Sequence, residues 1–268
     1  MRASAFVATG ALAALAVAVF PLACSSSEGA ADSAPPISLG DAAYFDAPQP
    51  DGAKPMVDGG FAGPDGSVLR ADRFATKVVS FTPGDCAGFG LPAMPNVVLG
   101  PPVGGGSFAG GLDVITLGTS GEIVLGFGDN AIVDGPGADF LVFENAFWAG
   151  DNPEHPVADL GEVAVSEDGV TWKVFPCDAA LPGASTSSHG KCAGWKPVYS
   201  APDNGISPVD AARAGGEVYD LAELGMTTAR FIRVRDLGTG TCPTNPAARA
   251  NTVGFDLDAV AIVNAKLP

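Results

Sequence analysis

The chain has 268 residues, 47% of them apolar, and a formal net charge of −16 from 30 acidic against 14 basic residues. That apolar content is enough for a real core and excludes a wholly disordered chain; the acidic balance argues against nucleic acid as a partner and leaves divalent cations open. With 36 glycines, 23 prolines and only 16% charged residues, short strands and turns are favoured over long surface helices.

The first segment, "MRASAFVATGALAALAVAVFPLAC", has one early Arg and a small apolar run ending at Cys24. It is too short and Ala-rich for a comfortable membrane span and reads as a secretory signal over residues 1–23. Its ending resembles a bacterial lipobox, with Leu22 and Ala23 before Cys24 and Pro21 where the lipobox usually has Leu. The resemblance implies lipid attachment at Cys24, with plain signal cleavage as the alternative. Residues 24–72 alternate Ser, Ala, Gly, Pro and Asp, a composition that buries too little to offset its ordering entropy, so a flexible tether is expected there. The Asp-Gly pairs within it lack the spacing of a calcium loop and read as turns.

From Arg73 to the end at residue 268 the texture changes to short apolar runs between turn residues. Strands are expected at "KVVSF" (77–81), "LDVITL" (112–117), "EIVLGF" (122–127), "DFLVFE" (139–144), "EVAVSE" (162–167), "VTWKVF" (170–175), "RFIRVR" (230–235) and "LDAVAIV" (257–263). "GTSGE" and "SEDGV" read as hairpin connections, the second with Gly169 at a positive φ. "SPVDAARAGG" reads as one short helix, with Ser207 as cap, Pro208 in the first turn and Gly215 as stop. Many strands without alternating helices predict an all-β, antiparallel sandwich of jelly-roll type. The Gly-rich "GPPVGGGSFAGG" lacks the Lys-Ser/Thr of a phosphate loop and reads as a turning loop.

Besides Cys24 there are four cysteines, an even number that in an exported chain predicts two disulfides. Of three connectivities, sequence spacing favours Cys177 with Cys192, which leaves Cys86 with Cys242. No Cys-x-x-Cys pair is present, which disfavours zinc. The two histidines, His155 and His189, follow no Gly-x-Ser-x-Gly elbow.

"EVAVSEDGVTWKVF" and "ARFIRVRDL" resemble the hairpin and a later strand of galactose-binding-like sandwiches, the discoidin or coagulation-factor type C group. "LGFGDNAIVDGPGADFLVFENAF", "GWKPVYSAPDNGISPVDAARAGGEVYDLAELG" and "GFDLDAVAIVN" are similar to an uncharacterised family of bacterial cell-surface proteins, over nearly all of residues 77–265. The resemblance implies a non-catalytic module binding a surface or matrix ligand, a glycan among the candidates, with a structural calcium ion at the strand ends. Candidate calcium ligands are the oxygen donors bordering apolar runs: Asp139, Glu144, Asn145, Asp236, Asp256 and Asp258. Strand alternation puts Asp139 and Asn145 on one face and Glu144 on the other, so one ion does not easily use all of them. The alternative is that Glu144 pairs with Arg233 or Arg235 while Asp256 and Asp258 accept loop amides. Trp148 and Trp195, next to turn residues, are the candidates for stacking on a sugar, whereas Trp172, in a strand, is expected in the core. Rival functions are an extracellular hydrolase using the same loop carboxylates and a purely structural envelope protein. An outer-membrane location through the lipid anchor completes the expectation.

Overall fold

A computed structural model describes residue 54 and residues 56–63, 66–179, 189–245 and 252–267. The signal segment 1–23, Cys24 and the tether up to residue 53 lie outside the described residues. In chain order the strands are β1 Met56–Val57, β2 Gly60–Ala62, β3 Val68–Arg70, β4 Lys77–Thr82, β5 Ile115–Thr116, β6 Glu122–Gly126, β7 Ile132–Val133, β8 Phe140–Glu144 and β9 Phe147–Trp148, followed by β10 Pro156–Val157, β11 Gly161–Ser166, β12 Lys173–Val174, β13 Glu217–Tyr219, β14 Thr228–Ala229, β15 Phe231–Asp236 and β16 Asp256–Ile262.

Two antiparallel sheets face each other: a five-stranded one in the order β12-β11-β15-β6-β4 and a four-stranded one in the order β13-β8-β16-β5. The chain changes sheet at most connections, giving the expected all-β sandwich of jelly-roll type. Between them lies the main core. Val163, Val165, Ile123, Leu125, Ile232 and Val234 come from the first sheet, and Phe140, Val142, Leu257, Val260 and Ile262 from the second. Period-two alternation explains why these residues, and not their neighbours, turn inward.

The outer face of the four-stranded sheet is covered as well. β1-β2-β3 form a small antiparallel sheet whose Phe61 packs edge-on against Phe74 at 5.4 Å, over Leu141, Phe143, Ala259 and Ala261. The expected tether over 24–72 is therefore corrected at its C-terminal end, because residues 56–63 and 66–72 fold. The driving force is burial of Phe61, Leu69 and Met56, enough apolar surface to outweigh the Gly-rich composition. Gly60 makes the turn possible: at φ 155, a Cβ there would lie 2.0 Å from the Leu69 carbonyl oxygen.

The same bulged strand serves both faces of this sheet. In β16 the register shifts between Leu257, opposite Glu144, and Ala259, opposite Phe143. Asp258 is the extra residue of that bulge. The shift lets Leu257 face the main core while Ala259 and Ala261 face Phe61 and Phe74.

Other details depart from expectation. "SEDGV" does join β11 to its antiparallel neighbour β12 with Gly169 at φ 76. "GTSGE", by contrast, leads from β5 in one sheet to β6 in the other, so it is a crossover and not a hairpin. Residues 207–214 form turns, not a helix; among the described residues the helical pieces are 3-10 turns of three or four residues. There the Asp210 carboxylate takes the Ala212 amide at 3.1 Å, a local bond that competes with helix propagation. Trp172 is half-buried outside the core, with the Arg233 guanidinium 5.0 Å from its ring. No helix of the described residues is long and apolar enough to cross a membrane.

The disulfides are Cys86–Cys242 and Cys177–Cys192, the pairing that spacing favours, and they belong to an oxidising environment. They close sequence separations of 156 and 15 residues. Chain-entropy arguments give about 5 and about 3 kcal/mol, respectively. Denaturant titration of the double variant Cys86→Ala/Cys242→Ala should therefore show a larger loss of stability than Cys177→Ala/Cys192→Ala. Equal losses would mean that native-state strain, not loop closure, sets the values.

Candidate functional site

The antiparallel register gathers particular strand ends. Asp236 of β15 lies opposite Gly161 of β11, Glu144 of β8 opposite Leu257 of β16, and Glu217 of β13 opposite Val142. Glu144, Asn145, Asp236, Asp256 and Asp258 thus fall at one end of the sandwich. Asp139, which precedes β8, falls at the other, so the six proposed calcium ligands form no single site.

Three buried carboxyl groups are occupied by amide donors, nearly all of them from the backbone. Asp139 accepts from Gly135 N at 2.9 Å, Leu221 N at 2.7 Å and Asn264 Nδ2 at 2.8 Å. Asp236 accepts from Ser120 N, Gly238 N and Phe255 N, each at 2.8 Å. Glu217 accepts from Gly194, Trp195 and Lys196 amides at 2.9, 3.1 and 2.7 Å; burial pushes it up to about 7 against those bonds, which favour the carboxylate. Each satisfies orphan loop amides in a place that water does not reach. Asp258 is held differently, between Lys54 Nζ at 3.0 Å and Val103 N at 2.8 Å.

Glu144 is the exception. It shares the inward face with Phe140 and Val142 and is 2% exposed. Its Oε1 has only the Asp256 amide at 3.3 Å, and its buried Oε2 has no hydrogen-bond partner. Burial, then the charges of Asp256, Asp159 and Glu217, push its pKa well above the usual carboxylate range. Asp256, bonded by Thr116 Oγ1 and by the Asn145 side chain, is pushed up by burial to about 6. Asp159 is raised by burial and by Asp236. The suggested ion pair of Glu144 with Arg233 or Arg235 is not formed. Both arginines lie on the outer face of the five-stranded sheet, where Arg235 meets Glu122 at 2.8 Å and Arg233 meets Glu162 at 3.7 Å.

Beside Glu144 the glycine-rich loop packs backbone against backbone. Gly104 N donates to Ser200 O, Trp148 N donates to Ser107 O at 2.8 Å, and Asn145 Nδ2 donates to Gly111 O at 3.2 Å. A Cβ on Gly110 would lie 2.4 Å from the Asn145 carbonyl oxygen, which explains the residue. The loop holds Phe108 and Leu112 out in solvent, 72% and 79% exposed. Ser107 Oγ donates to Asp151 at 2.5 Å, and half-buried Tyr199 is raised by burial and by Asp151 nearby. Trp148 is half-buried, with its indole Nε1 buried and unpartnered. Trp195 is 8% exposed, donates Nε1 to Cys192 O at 2.8 Å and carries Lys196 over its ring, so it is not presented to a ligand. Sequence reasoning missed Asp159, Phe108 and the pair Lys54 and Asp113. Asp159 stands in an ordinary turn, and Lys54 in a stretch whose composition reads as linker.

At the opposite end Asp134, Asp139 and Asp220 bring one oxygen each within 4.8 Å. Asp139 is committed to amides, and Asp220 caps the 3-10 turn Leu221–Leu224 through Ala222 N at 2.9 Å. An apolar cleft lined by Val57, Phe61, Leu69, Pro101 and Ile206 contains no ionisable side chain among the described residues. No family model matches the sequence, and no curated protein matches it either.

Carboxyls that are raised in the fold bind more protons folded than unfolded, so their contribution is complete below the unfolded value near pH 4 and is lost as pH rises through the folded one. For Asp256 that window ends at about 6, and Glu144 is raised in the same direction by its burial. In chelator, the melting temperature should fall as pH rises from about 4 to about 7, where Asp256, Asp258 and Glu217 ionise, on the order of 1 kcal/mol per pH unit for each group that ionises. Glu144→Gln should lessen the fall, the remainder coming from Asp256, Asp258 and Glu217, which burial also raises. A wild-type profile that is flat over this range would contradict the buried, protonated state of Glu144.

Proposed function

We propose that this chain is an exported, lipid-anchored cell-surface protein whose sandwich binds an extracellular carbohydrate, without catalysis, through the loops beside Glu144. The observation that carries the reading is the glycine-rich loop. It holds Phe108 and Leu112 in solvent next to Trp148, with Ser107, Asp151 and Tyr199 alongside. Apolar faces that cover the C–H side of a sugar, flanked by hydroxyl and carboxylate partners for its hydroxyls, are what carbohydrate recognition requires. Cys24 as the acylated residue and residues 25–53 as tether would hold the domain off an outer membrane, in keeping with the two disulfides.

A calcium ion belongs to the same reading, now on a reduced donor set: Glu144, Asn145 and Asp256, with Asp159 near. The buried, unpartnered Oε2 of Glu144 among like charges is the feature that fits a cation. Bound there, calcium would neutralise the cluster and fix the start of the Asn145–Trp148 segment.

A glycan and polysaccharide screen on the full chain, with calcium and with chelator, tests the function. Binding without turnover is expected, and Phe108→Ala and Trp148→Ala should each weaken it at least tenfold, with Phe108→Ala leaving the melting temperature unchanged. Turnover abolished by Glu144→Gln would favour the hydrolase instead. Calcium at a hundred times its dissociation constant should add about 2.7 kcal/mol of stability. Glu144→Gln should abolish that gain, and a wild-type protein indifferent to calcium would remove the ion from the reading.

A further inference from the structure

Lys54 is the one described residue that precedes β1, yet its side chain is 1% exposed. Its Nζ lies 3.0 Å from Asp258 Oδ1, 3.3 Å from the Asp258 carbonyl oxygen and 3.4 Å from Asp113 Oδ2. The Asp258 side chain is 2% exposed and that of Asp113 15%. The second oxygen of Asp258 accepts the Val103 amide at 2.8 Å. Around them stand Phe61 and Gly100, the latter so close that a Cβ would lie 3.3 Å from the Lys54 Cδ and 2.7 Å from the Phe61 ring.

A buried ion pair is weak evidence of stability, because desolvation cancels most of its attraction. Two acids around one amine are more than a single ion pair needs. They do provide the parts of an amide condensation: a nucleophilic amine against a carboxyl group, a second carboxyl to carry protons, and a backbone N–H on the oxygen that gains charge. The Asp258 side chain, 2% exposed, sits against the amine out of water, where a charged carboxylate is disfavoured. The fold holds the reactants in contact, which replaces a bimolecular encounter.

We propose that Lys54 and Asp258 become joined by an intramolecular isopeptide bond, with Asp113 as the proton carrier. The Lys54 ammonium first gives one proton to the Asp113 carboxylate. The free amine attacks Cγ of protonated Asp258, forming the C–N bond while the oxygen held by Val103 N takes up the negative charge. Asp113 then protonates the departing hydroxyl and takes a proton from nitrogen, and the C–O bond breaks. The products are the Lys54–Asp258 amide, one water and protonated Asp113; no oxidant or activating group is consumed. The bond would fasten the β1-β2-β3 layer to the bulge of β16.

Mass spectrometry of the purified full chain, reduced and denatured, decides the matter. The intact mass should be lower by one water than the sequence from its observed N-terminus requires. Proteolysis should release a branched species containing both the Lys54 and the Asp258 peptides. Lys54→Arg should restore the missing water, and Asp113→Asn should do so in protein that still forms both disulfides and melts cooperatively. Recovery of the two wild-type peptides separately and unmodified would overturn the proposal, as would loss of water without the branched species, since cyclisation of Asp258 on its own backbone accounts for that.

Discussion

Burying a carboxylate obliges the fold to supply its partners, and this molecule meets the obligation mostly with backbone amides. Asp139, Asp236 and Glu217 each collect three amide donors, most of them from segments remote in sequence. Asp139 joins the start of β8 to the segment after β13 and to the end of β16. Asp236 does the same at the other end for the loops before β6 and β16, and Glu217 fixes the turn that carries Trp195. These carboxyl groups do for the ends of the sandwich what the apolar core does for its middle. They specify loop positions that hydrophobic packing, being non-directional, leaves open.

Against that background Glu144 is the deviation. A carboxyl group with the same burial and the same strand-end position, but one weak amide and an empty-handed oxygen, has to be neutralised by something else. The proton-bound and the cation-bound states are two solutions to one electrostatic problem. The acidity of Asp256 and Asp159 ties those neighbours to the choice.

Much of the sandwich is legible in the sequence because strand formation is local. "KVVSF", "EIVLGF", "DFLVFE" and "RFIRVR" lie within a residue or two of β4, β6, β8 and β15, since β-branched and aromatic alternation acts at the scale of a few residues. What pairs with what is not local. Nothing near Glu144 says that Arg233 and Arg235 belong to the outer face of the opposite sheet, and nothing near Lys54 says that it meets the last strand. "GTSGE" carries the same glycine signal whether it closes a hairpin or crosses between sheets. Trp195 looks like a loop aromatic because the disulfide and Leu160 that bury it are remote or uninformative in sequence. Residues 207–214 have a helix's punctuation, and a single aspartate hydrogen bond redirects them.

The three-layer stacking has a consequence for how such a sequence can drift. In the five-stranded sheet β15 keeps an outward side, where half-buried Arg233 and exposed Arg235 tolerate exchange. β8 and β16 have no outward side: odd and even positions alike abut a packed layer, one against the main core and one against Phe61 and Phe74. Substitutions there are confined to swaps that conserve volume, since both over-filling and emptying cost on the order of 1–3 kcal/mol or more. Distant relatives of this chain should accordingly be recognised by "FLVFE" and "LDAVAI", two short strings without charge alternation, sooner than by the turns and hairpins that stand out to the eye.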